Sequence, residues 1–143
     1  MSKVKIAVIG IGYLGEFHAQ KYKANKSVEL VGIVDVNKQR CGQISKKIGV
    51  KAYNDYKSII DHVDAVSIVV PTHLHYKIAK YFINNKKHVL IEKPFTSSVK
   101  EARSLRKISE EKKIILQIGH LERFNQAFVK LKNNVKNPLF IEC

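Results

Sequence analysis

Short apolar runs alternate with longer amphipathic segments along the first 118 residues of the chain. The short runs are rich in Val and Ile and are too short for helices, which indicates buried strands. We predict six strands, at residues 3–9, 29–34, 51–53, 65–69, 88–91 and 114–118. The amphipathic segments predict helices at residues 13–24, 38–48 and 73–85 and from Ser98 onward. This alternation predicts an α/β fold, with a parallel sheet covered by helices on both faces.

A glycine-rich turn joins the first predicted strand to the first predicted helix. Gly10, Gly12 and Gly15 have the spacing G-x-G-x-x-G, with Tyr13 and Leu14 in the last gap. In this pattern the first glycine permits the tight turn, the second lets the main chain approach a pyrophosphate, and the third lets helix and strand pack closely. The anion then lies at the helix N-terminus.

An acidic residue, Asp35, ends the second predicted strand about 20 positions after Gly15, the distance at which a carboxylate accepts hydrogen bonds from an adenosine ribose. Strand, glycine turn, helix, strand and acid in this order predict a dinucleotide-binding domain with a doubly wound Rossmann fold. The carboxylate would repel a 2′-phosphate, so NAD is favoured over NADP. Lys38 and Arg40 lie nearby and could soften that preference.

The chain carries 26 Lys and Arg against 12 Asp and Glu, a formal charge of +14, which makes nucleic acid a candidate partner. The lysines are scattered through every predicted helix and form no block with interleaved aromatic residues. A solvated, lysine-rich surface is therefore favoured over a nucleic-acid-binding stripe. A compositional bias of the source organism would produce the same charge.

Cysteine usage and hydropathy favour a cytoplasmic protein. The two cysteines, Cys41 and Cys143, form no disulfide framework and no metal-ligand spacing, which is typical of a reducing compartment. The apolar run at residues 6–11 has no small-residue cleavage site after it and is needed as strand and turn, so we do not interpret it as a signal peptide. No apolar stretch approaches the length of a membrane span.

Three further segments follow predicted strands, at the edge of an open parallel sheet where ligands bind. They read Pro-Thr-His-Leu-His at 71–75, Glu-Lys-Pro at 92–94 and Gly-His-Leu-Glu-Arg-Phe-Asn at 119–125. Together with the glycine turn, they resemble the Gfo/Idh/MocA family of oxidoreductases over nearly the whole chain. The resemblance implies oxidation or reduction of a sugar or cyclitol with a nicotinamide cofactor. The last segment most resembles the branch that oxidises nucleotide-linked amino sugars.

The resemblance also implies roles for single residues. Gly10, Gly12 and Gly15 correspond to the pyrophosphate turn, and Asp35 corresponds to the acid that binds the ribose.

Pro71, Thr72 and His75 correspond to a loop along the nicotinamide half of the cofactor. Two alternatives stay open, because Thr72 could cap the helix that follows Pro71 and His75 could be an exposed polar residue on that helix's first turn.

Lys93 is the candidate catalytic residue. The resemblance implies that it and Glu92 contact the cofactor, and that the Lys93 ammonium stabilises alkoxide charge as the substrate hydroxyl loses its proton. The alternative is an ordinary surface lysine beside Lys86 and Lys87. Pro94 indicates a tight turn that aims Lys93, which a cis peptide bond would provide.

His120, Glu122 and Arg123 are candidates for contact with a substrate sugar or phosphate. The alternative is a polar cluster that caps a helix. We find no metal-ligand spacing elsewhere in the chain, so no metal site is predicted.

We expect residues 1–119 to form the dinucleotide-binding domain, and residues 120–143 to form a connecting helix and the first strand of a second domain. The resemblance implies that a second α/β domain forms the substrate wall and supplies a general-base histidine. We expect that domain to be essentially absent, so that the chain binds NAD but has little or no turnover alone. The alternatives are a non-catalytic nicotinamide-dinucleotide-binding or regulatory module and an inactive gene remnant.

A lone first domain would also expose apolar side chains of its terminal segment, and such patches drive association. We therefore expect a homo-oligomer or other self-association through Phe124, Phe128, Phe140 and Ile141.

Overall fold

The structure, a computed structural model, describes residues 2–135. The strand predicted after Pro138, with Phe140 and Ile141, lies outside the described residues. Six strands form one sheet: β1 (Val4–Ile9), β2 (Val28–Val34), β3 (Ala52–Tyr53), β4 (Ala65–Ile68), β5 (His88–Ile91) and β6 (Leu116–Ile118). All neighbouring pairs are parallel, in the spatial order β3-β2-β1-β4-β5-β6. The chain reverses its direction across the sheet between β1 and β4, and a crevice opens at the carboxyl ends of such strands.

Within the described residues, five α-helices connect or follow the strands. They are α1 (Tyr13–Ala24), α2 (Lys38–Ile48), α3 (Thr72–Asn84), α4 (Val99–Glu111) and α5 (Gln126–Asn134). α4 begins where predicted, with Ser98 as its N-cap, because the Ser98 side chain accepts a hydrogen bond from the Glu101 N–H. The end of α2 is set by Gly49, which adopts a left-handed conformation with φ of 66°.

The hydrophobic core lies on both faces of the sheet. Successive residues of β1 alternate between the two layers, so that Ile6 and Val8 pack in one apolar cluster while Ala7 and Ile9 pack in the other. A strand buried on both sides reads as a continuous apolar run, which is the pattern that predicted it. The predicted doubly wound Rossmann sheet is confirmed.

One element has no counterpart in the sequence prediction. Residues Tyr56–His62 form a 3₁₀ helix between β3 and β4. It begins at Asp55, whose side chain accepts the Lys57 N–H, and it buries Ile59 completely. Seven residues with one fully buried apolar position are too few for a helical period to be recognised.

The described segment after β6, residues 120–135, is exposed throughout wherever its burial is described. A 3₁₀ helix at Leu121–Phe124 precedes α5, and the two pack against each other. The apolar side chains of this segment are exposed, among them Phe124, Phe128 and Leu131.

Candidate dinucleotide site

Two of the three glycines in the turn after β1 are required by close packing. Gly10 has φ of +92°, and a Cβ there would lie 2.5 Å from the carbonyl oxygen of Val69 at the end of β4. A Cβ on Gly15 would lie 1.9 Å from the carbonyl oxygen of Gly10. These two glycines therefore let β1, α1 and the end of β4 come together, and only a residue without a side chain fits at either position.

Gly12 differs from the other two glycines because neither packing nor conformation requires it. Its φ is −69°, an ordinary value, and a Cβ there would have nothing within 4 Å. Gly12 is the N-cap residue of α1, so the first turn of that helix has no side chain to cap its N–H groups. The open space beside Gly12 is the room that a bound anion needs to reach these donors.

Tyr13 and Leu14 form the first residues of α1 and are both exposed at the mouth of this turn. The Tyr13 ring packs edge-on against Phe17, with 5.0 Å between ring centroids. Both residues can therefore contribute main-chain N–H groups to an anion at the helix N-terminus without moving a buried side chain.

The Asp35 carboxylate joins the glycine turn to the end of β2. Its Oδ2 accepts the Ile11 N–H at 2.7 Å, and its Oδ1 accepts the Asn37 N–H at 2.8 Å. Each carboxylate oxygen has a second lone pair, so both can also accept a hydroxyl hydrogen. This arrangement suits a ribose diol placed beside the turn.

A cluster of charged side chains holds the turn from the other side. Arg40 donates from Nε to the carbonyl oxygen of Ile11, and its guanidinium nitrogen lies 3.4 Å from Glu16 Oε2. Lys47 Nζ lies 2.7 Å from Glu16 Oε1. The hydrogen bond from Lys47 lowers the pKa of Glu16, with help from the positive charges of Lys47 and Arg40. Arg40 is thus engaged with the turn through Nε and one terminal nitrogen of its guanidinium.

An open cleft of about 530 Å³ lies at the carboxyl ends of β1, β2 and β4. This is within the usual range for small-molecule sites. Its walls are mostly apolar, with Asp35 at one end and Lys77 on α3. The lining includes Gly10, Gly12, Val34, Asp35, Val36, Asn54, Asp55, Tyr56, Val70, Pro71, Leu74 and Lys77. Residues 54–56 belong to a segment for which the sequence predicts no role.

Of the three candidate residues in the loop after β4, Pro71 alone lines the cleft. It is also the N-cap of α3, and Thr72 is half-buried at the first helical position, where its hydroxyl makes no capping hydrogen bond. The alternative interpretation of Thr72 as the helix cap is therefore wrong. Pro71 occupies the cap position, with φ of −56° and ψ of 141°.

His75 is buried, with 1% of its surface exposed, so its interpretation as an exposed residue of the first turn is also wrong. Its Nε2 lies 2.8 Å from the carbonyl oxygen of Val70, and its Nδ1 lies 3.0 Å from that of Pro94. The ring therefore connects the loop after β4 to the loop after β5 from inside. Contact of this side chain with the cofactor is not supported by that position, because both ring nitrogens face backbone carbonyls.

Lys93 is exposed in the turn that follows β5, and the Lys93–Pro94 peptide bond is cis. Lys86 and Lys87 precede β5, so the whole strand separates them from Lys93. They lie at the amino edge of the sheet, whereas Lys93 lies at the carboxyl edge with the glycine turn. Lys93 is thus a surface lysine, but it does not lie beside Lys86 and Lys87 as the alternative interpretation supposed.

Glu92 has only 6% of its surface exposed and turns inward, toward α1. Its carboxylate lies 3.2 Å from His18 Nε2, and His18 Nδ1 lies 2.9 Å from the Ser67 hydroxyl. Neither His18 nor Ser67 is among the residues predicted from the sequence. One signal was present, since His18 follows Gly15 by one helical turn and so lies above it on α1.

The substrate-side candidates separate into two groups. Glu122 accepts a hydrogen bond from the Asn125 side chain at 2.7 Å, and Asn125 in turn caps α5, so Glu122 belongs to a local capping cluster. His120 and Arg123 line a second open cleft, of about 620 Å³, together with Phe128, Val129 and Lys132.

Within residues 2–135, no group of three or more His, Cys, Asp or Glu side chains is arranged to hold a metal ion. Over the same range, no helix combines the length and the apolar character that a bilayer crossing needs.

Residues 4–120 match the model of a family described as an oxidoreductase family with an NAD-binding Rossmann fold. The chain belongs to the Gfo/Idh/MocA family. The predictions of family, fold and NAD as the cofactor are confirmed.

Similar proteins include a UDP-N-acetylglucosamine 3-dehydrogenase of Acidithiobacillus ferrooxidans, 38% identical over 92% of this chain and 42% of that protein. A myo-inositol 2-dehydrogenase of Thermotoga maritima is 34% identical over 94% of this chain and 41% of that protein. The crystal structure of the Acidithiobacillus enzyme superposes with a TM-score of 0.87, covering 93% of this chain and 43% of that one.

The structure of scyllo-inositol dehydrogenase from Lactobacillus casei, with bound NAD(H) and scyllo-inositol, is 25% identical and has a TM-score of 0.86, covering 92% of this chain and 40% of that one. The chain thus spans about two fifths of the length of the relatives it matches.

Proposed function

We propose that this chain is the cofactor-binding part of an NAD-dependent dehydrogenase that acts on a hydroxyl of a sugar or a nucleotide sugar. The observation that carries the proposal is the open space at Gly12, next to a carboxylate and a cleft of suitable size. We assign the dinucleotide-binding domain to residues 1–119. We assign residues 120–143 to the segment that connects this domain to the substrate-binding part of the enzyme.

The residues around the cleft can hold the adenosine half of NAD. Asp35 is positioned to accept hydrogen bonds from the ribose diol, and the first-turn N–H groups of α1 from Gly12 to Gly15 would bind the pyrophosphate. NAD is favoured over NADP for two reasons. The Asp35 charge repels a 2′-phosphate, and Arg40, the guanidinium nearest to it, is already engaged with Ile11 and Glu16.

Lys93 is the residue that we assign to the chemical step. The cofactor, when bound, accepts a hydride from the carbon that carries the reacting hydroxyl. The Lys93 ammonium would stabilise the alkoxide charge that develops as that hydroxyl passes its proton to a general base, a role that we assign to a histidine of the second domain. Its position at the carboxyl edge of the sheet, in the turn next to the end of β4, supports this role. Pro71 and Thr72 lie on the same edge and frame the nicotinamide half, whereas the Glu92 carboxylate faces His18.

The basic lining of the second cleft favours an anionic substrate. Arg123 and Lys132 face it together with His120, and a nucleotide sugar carries the phosphate charge that such side chains bind. A UDP-sugar dehydrogenase among the relatives agrees with this choice. The reaction belongs in the cytoplasm, where a free thiol such as that of Cys41 persists.

Calorimetric titration with NAD and with NADP tests the cofactor assignment. We expect NAD to bind at least about tenfold more tightly than NADP, and Asp35→Ser to narrow this ratio. No binding of either dinucleotide would refute the proposal.

Turnover is followed as NADH absorbance with UDP-N-acetylglucosamine and inositol as substrates. If NADH forms, Lys93→Ala should abolish it, and unchanged turnover in that variant would refute the role of Lys93. Tight NAD binding without turnover is the result that we expect of this chain on its own, because it spans about two fifths of the length of the dehydrogenases that it matches.

The exposed apolar side chains of residues 121–135 provide a surface for self-association. Light scattering across a concentration series tests this. We expect dimers or larger species that Phe124→Ser together with Phe128→Ser reduces, and a strictly monomeric protein would exclude association through this segment.

A further inference from the structure

Polar side chains from three elements meet beneath the turn that carries Lys93. They are His18 from α1, Ser67 from β4 and Glu92 from the end of β5, which we call the buried polar array. Ser67 is fully buried, and the side chains of Glu92 and His18 are 8% and 15% exposed. His18 lies between the other two, with Nδ1 2.9 Å from the Ser67 hydroxyl and Nε2 3.2 Å from Glu92 Oε1.

The Glu92 carboxylate is held in place by backbone on two sides. Its Oε2 accepts the Lys93 N–H at 3.2 Å. On the other side Gly119 approaches so closely that a Cβ there would lie 2.5 Å from Oε1. Oε1 lies within ion-pair distance of His18, but it accepts no hydrogen bond from any described residue. A substitution that adds even a methyl group at Gly119 would therefore displace the carboxylate.

A buried carboxylate with so few donors is costly to the fold. Removing an ionised group from water is unfavourable unless it is fully paired, and a well-packed apolar side chain would be at least as stabilising at this place. The negative charge of Glu92 also acts on Tyr22. Burial raises the pKa of Tyr22, and the Glu92 charge raises it further by a smaller amount. Stability alone thus gives no reason for a glutamate here, whereas its hydrogen bond to the Lys93 main chain does.

We propose that Glu92, through His18 and Ser67, is a positioning residue for Lys93. The array ties the turn at residues 92–94 to α1, the helix whose N-terminus takes the pyrophosphate, so that the reacting lysine and the cofactor keep a constant relative position. This inference rests on the proposed function. It adds two residues, His18 and Ser67, and it gives Glu92 a supporting role instead of direct contact with the cofactor.

The test separates the two halves of the cofactor. ADP-ribose carries the adenosine and pyrophosphate groups, whereas NADH also carries a nicotinamide, whose fluorescence reports its surroundings. In Glu92→Gln, which keeps the shape but removes the charge, we expect NADH to bind at least fivefold more weakly, while ADP-ribose binds within twofold of wild type. The emission of saturated, bound NADH should also shift toward that of free NADH.

A second variant keeps the carboxylate and moves it. Gly119→Ala places a methyl group against Glu92 Oε1, and Gly119 does not have a positive φ, so the substitution acts through this contact. We expect the same selective loss of NADH affinity. This variant decides the question if Glu92→Gln fails to fold.

Glu16→Gln is the matched control, because Glu16 is also a partly buried carboxylate but lies on α1 and interacts at the pyrophosphate turn. Loss of the Glu16 charge should change the affinities for NADH and for ADP-ribose by the same factor.

Three results overturn the inference. Equal losses for NADH and ADP-ribose in Glu92→Gln and Gly119→Ala would make the array a support of the fold only. Unchanged NADH affinity and emission in both variants would remove any link to the nicotinamide end. A wild-type chain that binds neither ligand would refute the proposed function itself, and the inference with it.

Discussion

A Gly12→Ser substitution should weaken NAD binding without destabilising the fold. The residue has an ordinary φ of −69°, and a Cβ at this position would meet nothing within 4 Å, so the serine side chain enters open space. Serine is also a better N-cap than glycine, by a few tenths of a kcal/mol. The free energy of unfolding should therefore stay unchanged or rise slightly.

The effect on NAD binding should be large. The serine side chain occupies the space through which the pyrophosphate reaches the first-turn N–H groups of α1. A hydrogen bond to a charged group contributes about 1.5 to 3 kcal/mol, and we expect two of them to be lost or lengthened. The loss is then about 3 kcal/mol or more, which weakens NAD binding by at least roughly a hundredfold.

Thermal unfolding and calorimetric titration with NAD measure the two effects on the same preparation. The matched control is Gly42→Ser, because Gly42 also has open space around it but lies within α2, away from the cleft. It should gain roughly 0.5 kcal/mol of stability from helix propensity and keep wild-type affinity. Wild-type NAD affinity in folded Gly12→Ser would refute the assignment of the pyrophosphate to this turn.

Three further changes test the turn and the core. Gly15→Ala should unfold the domain or lower its melting temperature by more than about 10 °C, since its methyl group would lie 1.9 Å from the Gly10 carbonyl oxygen; a stable variant would contradict the close packing. Asp35→Ala should weaken NAD binding roughly tenfold and also lower stability, because the Ile11 N–H loses its acceptor; calorimetry and thermal melts together check both. Burial raises the pKa of the Cys41 thiol above the ordinary 9.0, so the unfolded state loses its proton first and stability falls as pH rises past about 9. Cys41→Ala should show a smaller fall in the free energy of unfolding between about pH 8 and pH 9.5, and an equal fall would exclude the thiol as its cause.

Elements that are determined by residues adjacent in the chain were predictable from the sequence. The β1 run, the glycine turn and the start of α1 are contiguous, so the pattern of residue types within this one stretch identifies all three. The start of α4 at Ser98 likewise depends on only four adjacent positions, 98–101. Asp35 lies further away, but a strand and a helix of fixed length set its distance from Gly15.

The roles of His75, Glu92 and His18 depended on the tertiary structure. His75 is buried because α3 turns that face toward the loops after β4 and β5, and no local pattern distinguishes it from a ligand-binding histidine. The 3₁₀ helix at Tyr56–His62 was also missed, since it is held by a single side-chain cap and one buried residue.

The sequence by itself determined the strands, the glycine turn and the acid, because each depends on contacts between residues close in the chain or at a fixed helical distance. The tertiary structure decided that the space beside Gly12 is open, whereas the space beside Gly10 and Gly15 is occupied by neighbouring backbone. It also decided that Glu92 faces His18 and Gly119, 74 and 27 positions away in the chain. Such contacts follow from the order of the strands in the sheet and from the face that each helix turns inward. Both are set by the packing of the whole domain, and no short stretch of sequence contains them.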